Sequence, residues 1–468
     1  METTRRDFVK GAAGMAGIIA AGYGPSLYAA GANDRIRVAC VGYSDRFRGS
    51  LLPCFLHHNK ELNFDLVAVA DLWKKRLFEN AKPELEKKLG HEVATYNSDV
   101  DLYANAKDID AVIISTADFQ HAQHATHAVV AGKDAYCEKP MAEDMYSANM
   151  LLDAVNEKRR AGYAGGAVLQ IGSQRRSGKK YAAAREYIQS GKFGDISYVH
   201  LTWNVNQPKR WRRPEELVKS LRKEDIDWNM WLLDRDPDEY KFDPRKYLEF
   251  RLFWPFSSGI PGQWMCHQID TVAWFMGQPY PRTAVSSGGL YQWADGRQSY
   301  DTFTTLMEYG ESGVKGKGFQ VLFQSHQTNC AGGGKPNNES PTEKYFGPNG
   351  CIDLGTGCVT NEGVERAKPT SEALPAPKEN VVTSANTGGD ALTSAHMRNW
   401  MECVRARKDP NAPIEAGYSH AIALIMSNAA LRTGMRATFD AEQRQVLAGG
   451  EVWTGYKSTN DPWYTRIF

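Results

Sequence analysis

The chain carries almost no net charge: 56 Lys and Arg stand against 55 Asp and Glu over 468 residues, a formal charge of +1. The two signs are interspersed, so there is no basic face of the kind that tracks a nucleic acid or an anionic membrane, and no nucleic-acid partner is expected. Eight cysteines are scattered without a C-x-x-C pair, and no His, Cys and acid cluster has metal-ligand spacing, so no metal is expected. Cys351 and Cys358 are close enough in sequence to pair in an oxidising compartment, a bond the sequence leaves open. No apolar run reaches the roughly 20 residues of a membrane span, and no internal repeat stands out. What remains is ordinary globular composition, 42% apolar and 24% charged, on a chain long enough for two or three compact units.

The first thirty residues read as an address. Arg5-Arg6-Asp7-Phe8-Val9-Lys10 precedes an uncharged small and apolar run, Gly11 to Tyr23. This resembles a twin-arginine export signal, with cleavage near Ala29-Ala30 and a periplasmic destination. No membrane span is then expected in the mature protein.

Strand-like and helix-like segments alternate through the next 130 residues. Ile36–Val41, Phe64–Ala70, Asp110–Thr116 and Asp134–Cys137 are short apolar runs. Lys74–Leu89, His121–Ala131 and Asp144–Arg160 have helical character. The alternation predicts a parallel, doubly wound Rossmann sheet over residues 31–160, with its ligand at the carboxyl ends of the strands. The residues to watch there are Gly42, Ser44, Arg46, Asp71, Ser115, Thr116, His121 and Glu138. Asp71 closes the second strand, where a carboxylate accepts hydrogen bonds from an adenosine ribose and repels a 2′-phosphate; a plain strand-end cap is the other reading. NAD(H) is therefore expected ahead of NADP(H).

From about residue 161 the pattern changes to alternating strands, among them Ile196–Asn206, Thr302–Tyr309 and Phe319–Ser325. This predicts an α+β domain over 161–468 with a large, mostly antiparallel open sheet. Twelve Trp and twenty-one Tyr are many. The stretch from Trp203 through Trp211-Arg212-Arg213, Trp228 and Trp231 to Trp254 suits either sugar stacking or domain packing. Gln327–Asn349 and Glu362–Asp390 read as irregular surface segments.

Glu138-Lys139-Pro140, together with the Thr116 to His121 turn, resembles the Gfo/Idh/MocA family of glucose–fructose oxidoreductases and inositol dehydrogenases. Gly172-Ser173-Gln174-Arg175-Arg176, Gly191 to Ile196, Trp264 to Asp270 and Ala395 to Trp400 are similar to the same family. The resemblance implies that Lys139 sits beside the nicotinamide and the reacting hydroxyl. It implies further that His267 is the general base, with Asp270 as a charged neighbour, and that Gln174, Arg175, Trp203 and Gln263 bound the substrate. It also implies a sugar or polyol substrate and a homodimer or homotetramer. Export from a cytoplasmic nicotinamide pool adds a cofactor that is tightly bound and recycled internally. A glycoside hydrolase working through a transient keto-sugar is an alternative, and a non-catalytic carbohydrate-binding relative another.

Two departures stand out. In place of G-x-G-x-x-G the turn reads Gly42-Tyr43-Ser44-Asp45-Arg46-Phe47. Phe47 is expected to push the helix away or point outward, with Arg46 and Arg48 compensating by phosphate contacts. Many relatives carry an Asp four residues before the base, and here that position is Gln263, an amide that orients an imidazole without neutralising it.

Overall fold

The computed structural model describes residues 35–106, 108–161, 167–205, 209–329, 340–365, 368–374 and 390–457. The expected export signal lies outside them. Six parallel strands form the first sheet: β1 (Ile36–Val41), β2 (Phe64–Ala70), β3 (Ala94–Tyr96), β4 (Ala111–Ile114), β5 (Asp134–Cys137) and β6 (Leu169–Ile171). Their order is 3-2-1-4-5-6, so the direction of winding reverses between β1 and β4 and opens a crevice at their carboxyl ends. Helices α1 (Leu52–Leu62), α2 (Lys82–Leu89), α3 (Asp99–Asn105), α4 (His121–Val130) and α5 (Met145–Arg160) complete the crossovers. The central strands β4 and β5 are buried at every position, as expected of a sheet covered on both faces.

The second sheet has eleven strands in the order 14-13-12-11-7-10-9-8-15-16-17, its outer members being β12 (Gly350–Asp353), β13 (Cys358–Thr360), β14 (Ser371–Ala373), β15 (Ala437–Asp440), β16 (Gln445–Ala448) and β17 (Glu451–Val452). Its centre is β7 (Tyr198–Asn204), β8 (Thr283–Gly289), β9 (Thr302–Gly310), β10 (Gly318–His326) and β11 (Ser340–Gly347). All pairings are antiparallel except β7 with β10. One face packs on α6 (Lys179–Gln189), α7 (Cys266–Met276) and α9 (Ile414–Thr433), while α8 (Ala391–Ala406) returns to lie on α1. Trp400 and Met401 thereby join Phe55 and Phe64 in one buried cluster.

Two expectations change. β11 lies inside a segment read as irregular, because Glu343 interrupts its apolar alternation. Glu343 is buried there, accepting from Arg175 at 2.6 Å, Thr271 at 2.6 Å and Tyr345 at 2.7 Å. Phe47 neither points outward nor expels the helix. It is 0% exposed and opens a π-helical turn, Phe47–Leu51, that widens the helix start ahead of α1. Phe47→Ala is accordingly expected to cost about 3–5 kcal/mol, measured by denaturant unfolding.

The described cysteines are free thiols, Cys351 and Cys358 included. Among the described residues no helix is long and apolar enough to cross a membrane, and no group of three His, Cys, Asp or Glu is placed to hold a metal ion.

Candidate active site

A cleft of about 840 Å³ runs from the carboxyl ends of β1, β2, β4 and β5 to the edge of the second sheet. Gly42 turns out of β1 with φ +87°, and a Cβ there would lie 2.7 Å from Thr116 Cγ2. Only glycine lets the two crossing segments approach this closely. Ser44 follows; its hydroxyl donates to Ser115 Oγ at 3.2 Å and accepts the Phe47 N–H at 3.2 Å. The helix that starts at Asp45 thus opens into the cleft with its first turn exposed to a ligand. Thr116 Oγ1 bonds His124 Nδ1 at 2.9 Å, and Asp99 stands behind, held at 2.7 Å by His127.

Several expected cofactor residues are already engaged. Arg46 does not reach toward a phosphate: its guanidinium pairs with Glu138 at 2.9 Å and donates to Ser50 at 2.9 Å. Arg48 turns to Glu84 at 3.4 Å. Asp71 closes β2 as expected, but its carboxylate accepts from the Tyr43 and Trp73 amides at 2.8 and 2.9 Å. It also forms a two-point pair with Arg76 at 2.8 and 3.0 Å. His121 donates through Nδ1 to the Pro140 carbonyl at 2.8 Å, while its buried Nε2 has no protein partner. Burial holds His121 below the usual imidazole range; it is therefore neutral and offers a lone pair.

A segment covering 209–258 lies over the nucleotide side. Arg213 meets Asp45 at 2.6 Å, and Tyr247 accepts from Arg76 at 3.0 Å. Trp228, Trp231 and Phe256 pack with Phe119 in a separate core; of these tryptophans only Trp231 also reaches the cleft wall. The aromatics that do line the far end of the cleft are Trp203, Trp211 and Trp264. They form a near-parallel stack, with Trp264 at 5.5 Å from Trp211 and 6.4 Å from Trp203. Arg175 sits over Trp203 at 5.5 Å, its position fixed by Glu343.

Lys139 and His267 both line the cleft, near enough for the Lys139 charge to act on the imidazole. Lys139 Nζ donates to the Gln263 carbonyl at 2.8 Å, leaving two donors for a ligand. His267 leans on Trp203, ring centroids 5.6 Å apart. Burial first, then the cations Lys139, Arg175 and Arg46, hold its imidazole well below the ordinary range. Asp270 is not at the cleft. It is fully buried and bound through both oxygens to Arg176, at 2.9 and 3.0 Å, on the face of α7 turned toward α6. Gln174 lines the cleft with its amide between the Gly172 carbonyl and Arg46. The residue that sequence reasoning missed is Asp118, just past β4; its carboxylate accepts from the side chains of Gln263 and Ser257.

Residues 36–165 match the family described as “GFO_IDH_MocA: Oxidoreductase family, NAD-binding Rossmann fold”. That match covers the first domain, whose six-stranded parallel sheet has the order of a Rossmann fold. An inositol 2-dehydrogenase of Salmonella paratyphi B is 32% identical over 173 residues, 37% of this chain and 48% of that protein. An inositol 2-dehydrogenase of Cereibacter sphaeroides is 33% identical over 132 residues, covering 28% of this chain and 36% of its own length. The chain thus spans about half or less of the curated relatives it matches. Solved structures agree over both domains at low identity and so report on the fold alone. Aldose-aldose oxidoreductase from Caulobacter crescentus, complexed with glycerol, has TM-score 0.58 at 16% identity, covering 87% of this chain and 100% of that one. Levoglucosan dehydrogenase in complex with NADH and levoglucosan has TM-score 0.59 at 14%, covering 86% and 98%.

The buried histidines around this Rossmann domain set an acid limit on stability. Burial lowers His124, His396 and His420 to about 4. His420 Nε2 accepts the Met141 N–H, a bond that protonation breaks. Below pH 6.5 the unfolded chain takes up protons that the folded chain refuses, so stability falls from pH 6.5 toward 4. Each histidine contributes about 3 kcal/mol to that loss. Glu143, raised to about 8 by burial and Asp118, offsets one of them, since its neutral form favours the fold below its own titration. Urea midpoints measured from pH 7.5 to 4 are expected to decline steeply below 6.5.

Proposed function

We propose that this protein is a nicotinamide-dependent oxidoreductase acting on a secondary hydroxyl of a sugar or polyol. The observation that carries this is the pairing of Lys139 with a neutral His267 at the far end of a cleft whose near end is a dinucleotide turn. The groups present fit such a cofactor: Gly42 leaves room where a Cβ would strike Thr116, and the first turn of the helix beyond Ser44 faces the cleft. When bound, the nicotinamide supplies the hydride acceptor. The chain's own residues do the rest. Lys139 holds the hydroxyl oxygen and stabilises negative charge as it develops, and His267 takes the hydroxyl proton. The wall of Trp203 and Trp264 excludes water and covers the apolar face of the substrate.

We assign NAD(H) to the cleft because Asp71 ends β2; Arg76, which neutralises that carboxylate, narrows the margin against NADP(H). The 209–258 segment, tied across the cleft by Arg213 and Tyr247, supports a cofactor that stays bound through turnover. Retention suits export by the Arg5-Arg6 signal to the periplasm, where one sugar is oxidised and another reduced on the same nucleotide. A dimer or tetramer built on the open sheet is part of this reading. Denaturing the purified protein and weighing the released small molecules tests the cofactor assignment. NAD(H) at near-stoichiometric amount is expected; protein purified from cytoplasmic expression without any nucleotide would sink it.

A further inference from the structure

Lys139 is held by a residue that is itself clamped. Gln263, whose carbonyl receives the Lys139 ammonium, belongs to a π-helical turn, Pro261–Met265. Its side-chain amide is gripped at both ends. Nε2 donates to Asp118 Oδ2, and Oε1 accepts from Arg251 Nε at 2.9 Å. Arg251 Nη2 lies 3.6 Å from Asp118 Oδ1, so the amide bridges an ion pair. Ser257 Oγ donates to Asp118 Oδ2 at 2.6 Å from the loop leading into the same turn. Asp118 is 0% exposed. A buried carboxylate needs compensation from charge and hydrogen bonds; among the described residues both hydrogen bonds go to Oδ2, and Oδ1 has only the Arg251 charge, all from the segment that positions Lys139.

We propose that Asp118 is a positioning residue for Lys139, acting through Gln263, and that it supplies from the turn after β4 the carboxylate that position 263 lacks. The proposal rests on the reading of Lys139 as the group that holds the reacting hydroxyl. It also accounts for the amide at 263. An Asp or Glu there would face Asp118 directly, in a pocket where Glu143 is already buried beneath Ser258. Like charges at that separation in a dry site are strongly disfavoured. The packing leaves no slack: a Cβ on Gly262 would fall 2.8 Å from Glu143 Oε1 and 2.6 Å from Ser258 Oγ.

The test moves the charge instead of only deleting it. Asp118→Asn removes the charge opposite Arg251, and an amide whose oxygen stays on Gln263 and Ser257 turns its own donor toward the Arg251 guanidinium. The double variant Asp118→Asn/Gln263→Glu returns one carboxylate to the cluster, with the amide introduced at position 118 donating to it and Arg251 pairing with it. The readout is the rate at which Lys139 is methylated by formaldehyde and cyanoborohydride at pH 8, followed by peptide mass mapping. That rate depends on how the amine is held and not on any substrate. Asp118→Asn is expected to raise it about threefold or more, and the double variant to bring it back toward wild type. Equal rates in wild type and Asp118→Asn, or a double variant no closer to wild type than the single one, would overturn the proposal. If Asp118→Asn fails to fold, Arg251→Lys reads the clamp from its other end, and an unchanged Lys139 rate there overturns it equally. Failure of the function reading shows separately, as intact turnover in Lys139→Met whatever the methylation rates.

Discussion

Replacing Lys139 by Met is expected to lower turnover on the order of 10³-fold while lowering thermal stability only slightly and leaving nucleotide content unchanged. The change keeps the length and apolar stem of the side chain and removes only the ammonium. That ammonium makes one bond in the free protein, to the neutral Gln263 carbonyl at 2.8 Å, so its loss leaves no buried charge without a partner. The carbonyl alone is left short of a donor, a cost of about 1 kcal/mol. At the moment of reaction the loss is far larger. An alkoxide developing in a cleft walled by Trp203, Trp211 and Trp264 has little water to turn to, and a fixed donor in such surroundings contributes about 3–4 kcal/mol. Arg in place of Lys is expected to rescue poorly, because its planar fork cannot sit where a point charge does. Single-turnover spectroscopy with differential scanning calorimetry on the same samples separates these effects.

His267→Asn is expected to cost 10²- to 10⁴-fold in turnover, on the order of general-base effects, and to flatten the acid side of the pH profile. The sign follows from the surroundings. Burial and the cations Lys139, Arg175 and Arg46 all favour the neutral imidazole, so the base remains unprotonated as pH falls past 6.5. Wild-type activity is therefore expected to persist below pH 6.5, with its acid limb displaced well under the ordinary histidine value. The lower end of that profile merges with the acid loss of stability described above, so rates are to be read at temperatures where the fold is intact at every pH. An acid limb centred at 6.5 or higher would mean that His267 feels a carboxylate, and Asp270 is turned away to Arg176.

Much of the first domain was legible because its strands are buried over most of their length and read as short, mainly apolar runs. The expected bounds of β1, β2 and β5 coincide with those observed. The second sheet was legible where its strands alternate, as in β9 and β10, and lost where a buried acid breaks the alternation, as Glu343 does in β11. In the site, chain-local signals such as Glu138-Lys139-Pro140 marked the right loop. They did not show which way a helix faces. Asp270 lies three residues from His267, yet the two diverge, one to Arg176 and one to the cleft. Nor did they show partners distant in sequence. Arg46 looked like a phosphate ligand until Glu138, 92 residues on, is seen to hold it. Asp118 lies in the Thr116 to His121 turn that the sequence marks, but its role depends on Gln263, Arg251 and Ser257, all more than 130 residues away. Phe47 looked like damage to a glycine turn, and one π-helical turn absorbs it.

In the proposed reaction Lys139 and His267 act on a sugar or polyol hydroxyl beside a nicotinamide retained in the cleft. Mixing the purified protein, under single-turnover conditions, with myo-inositol, levoglucosan and a panel of aldoses while recording absorbance at the reduced-nicotinamide band, about 340 nm, tests it most directly. At least one of these compounds is expected to change the band in wild type and none in Lys139→Met. Bound nucleotide whose band no sugar or polyol alters, or a change of equal size in Lys139→Met, would contradict it.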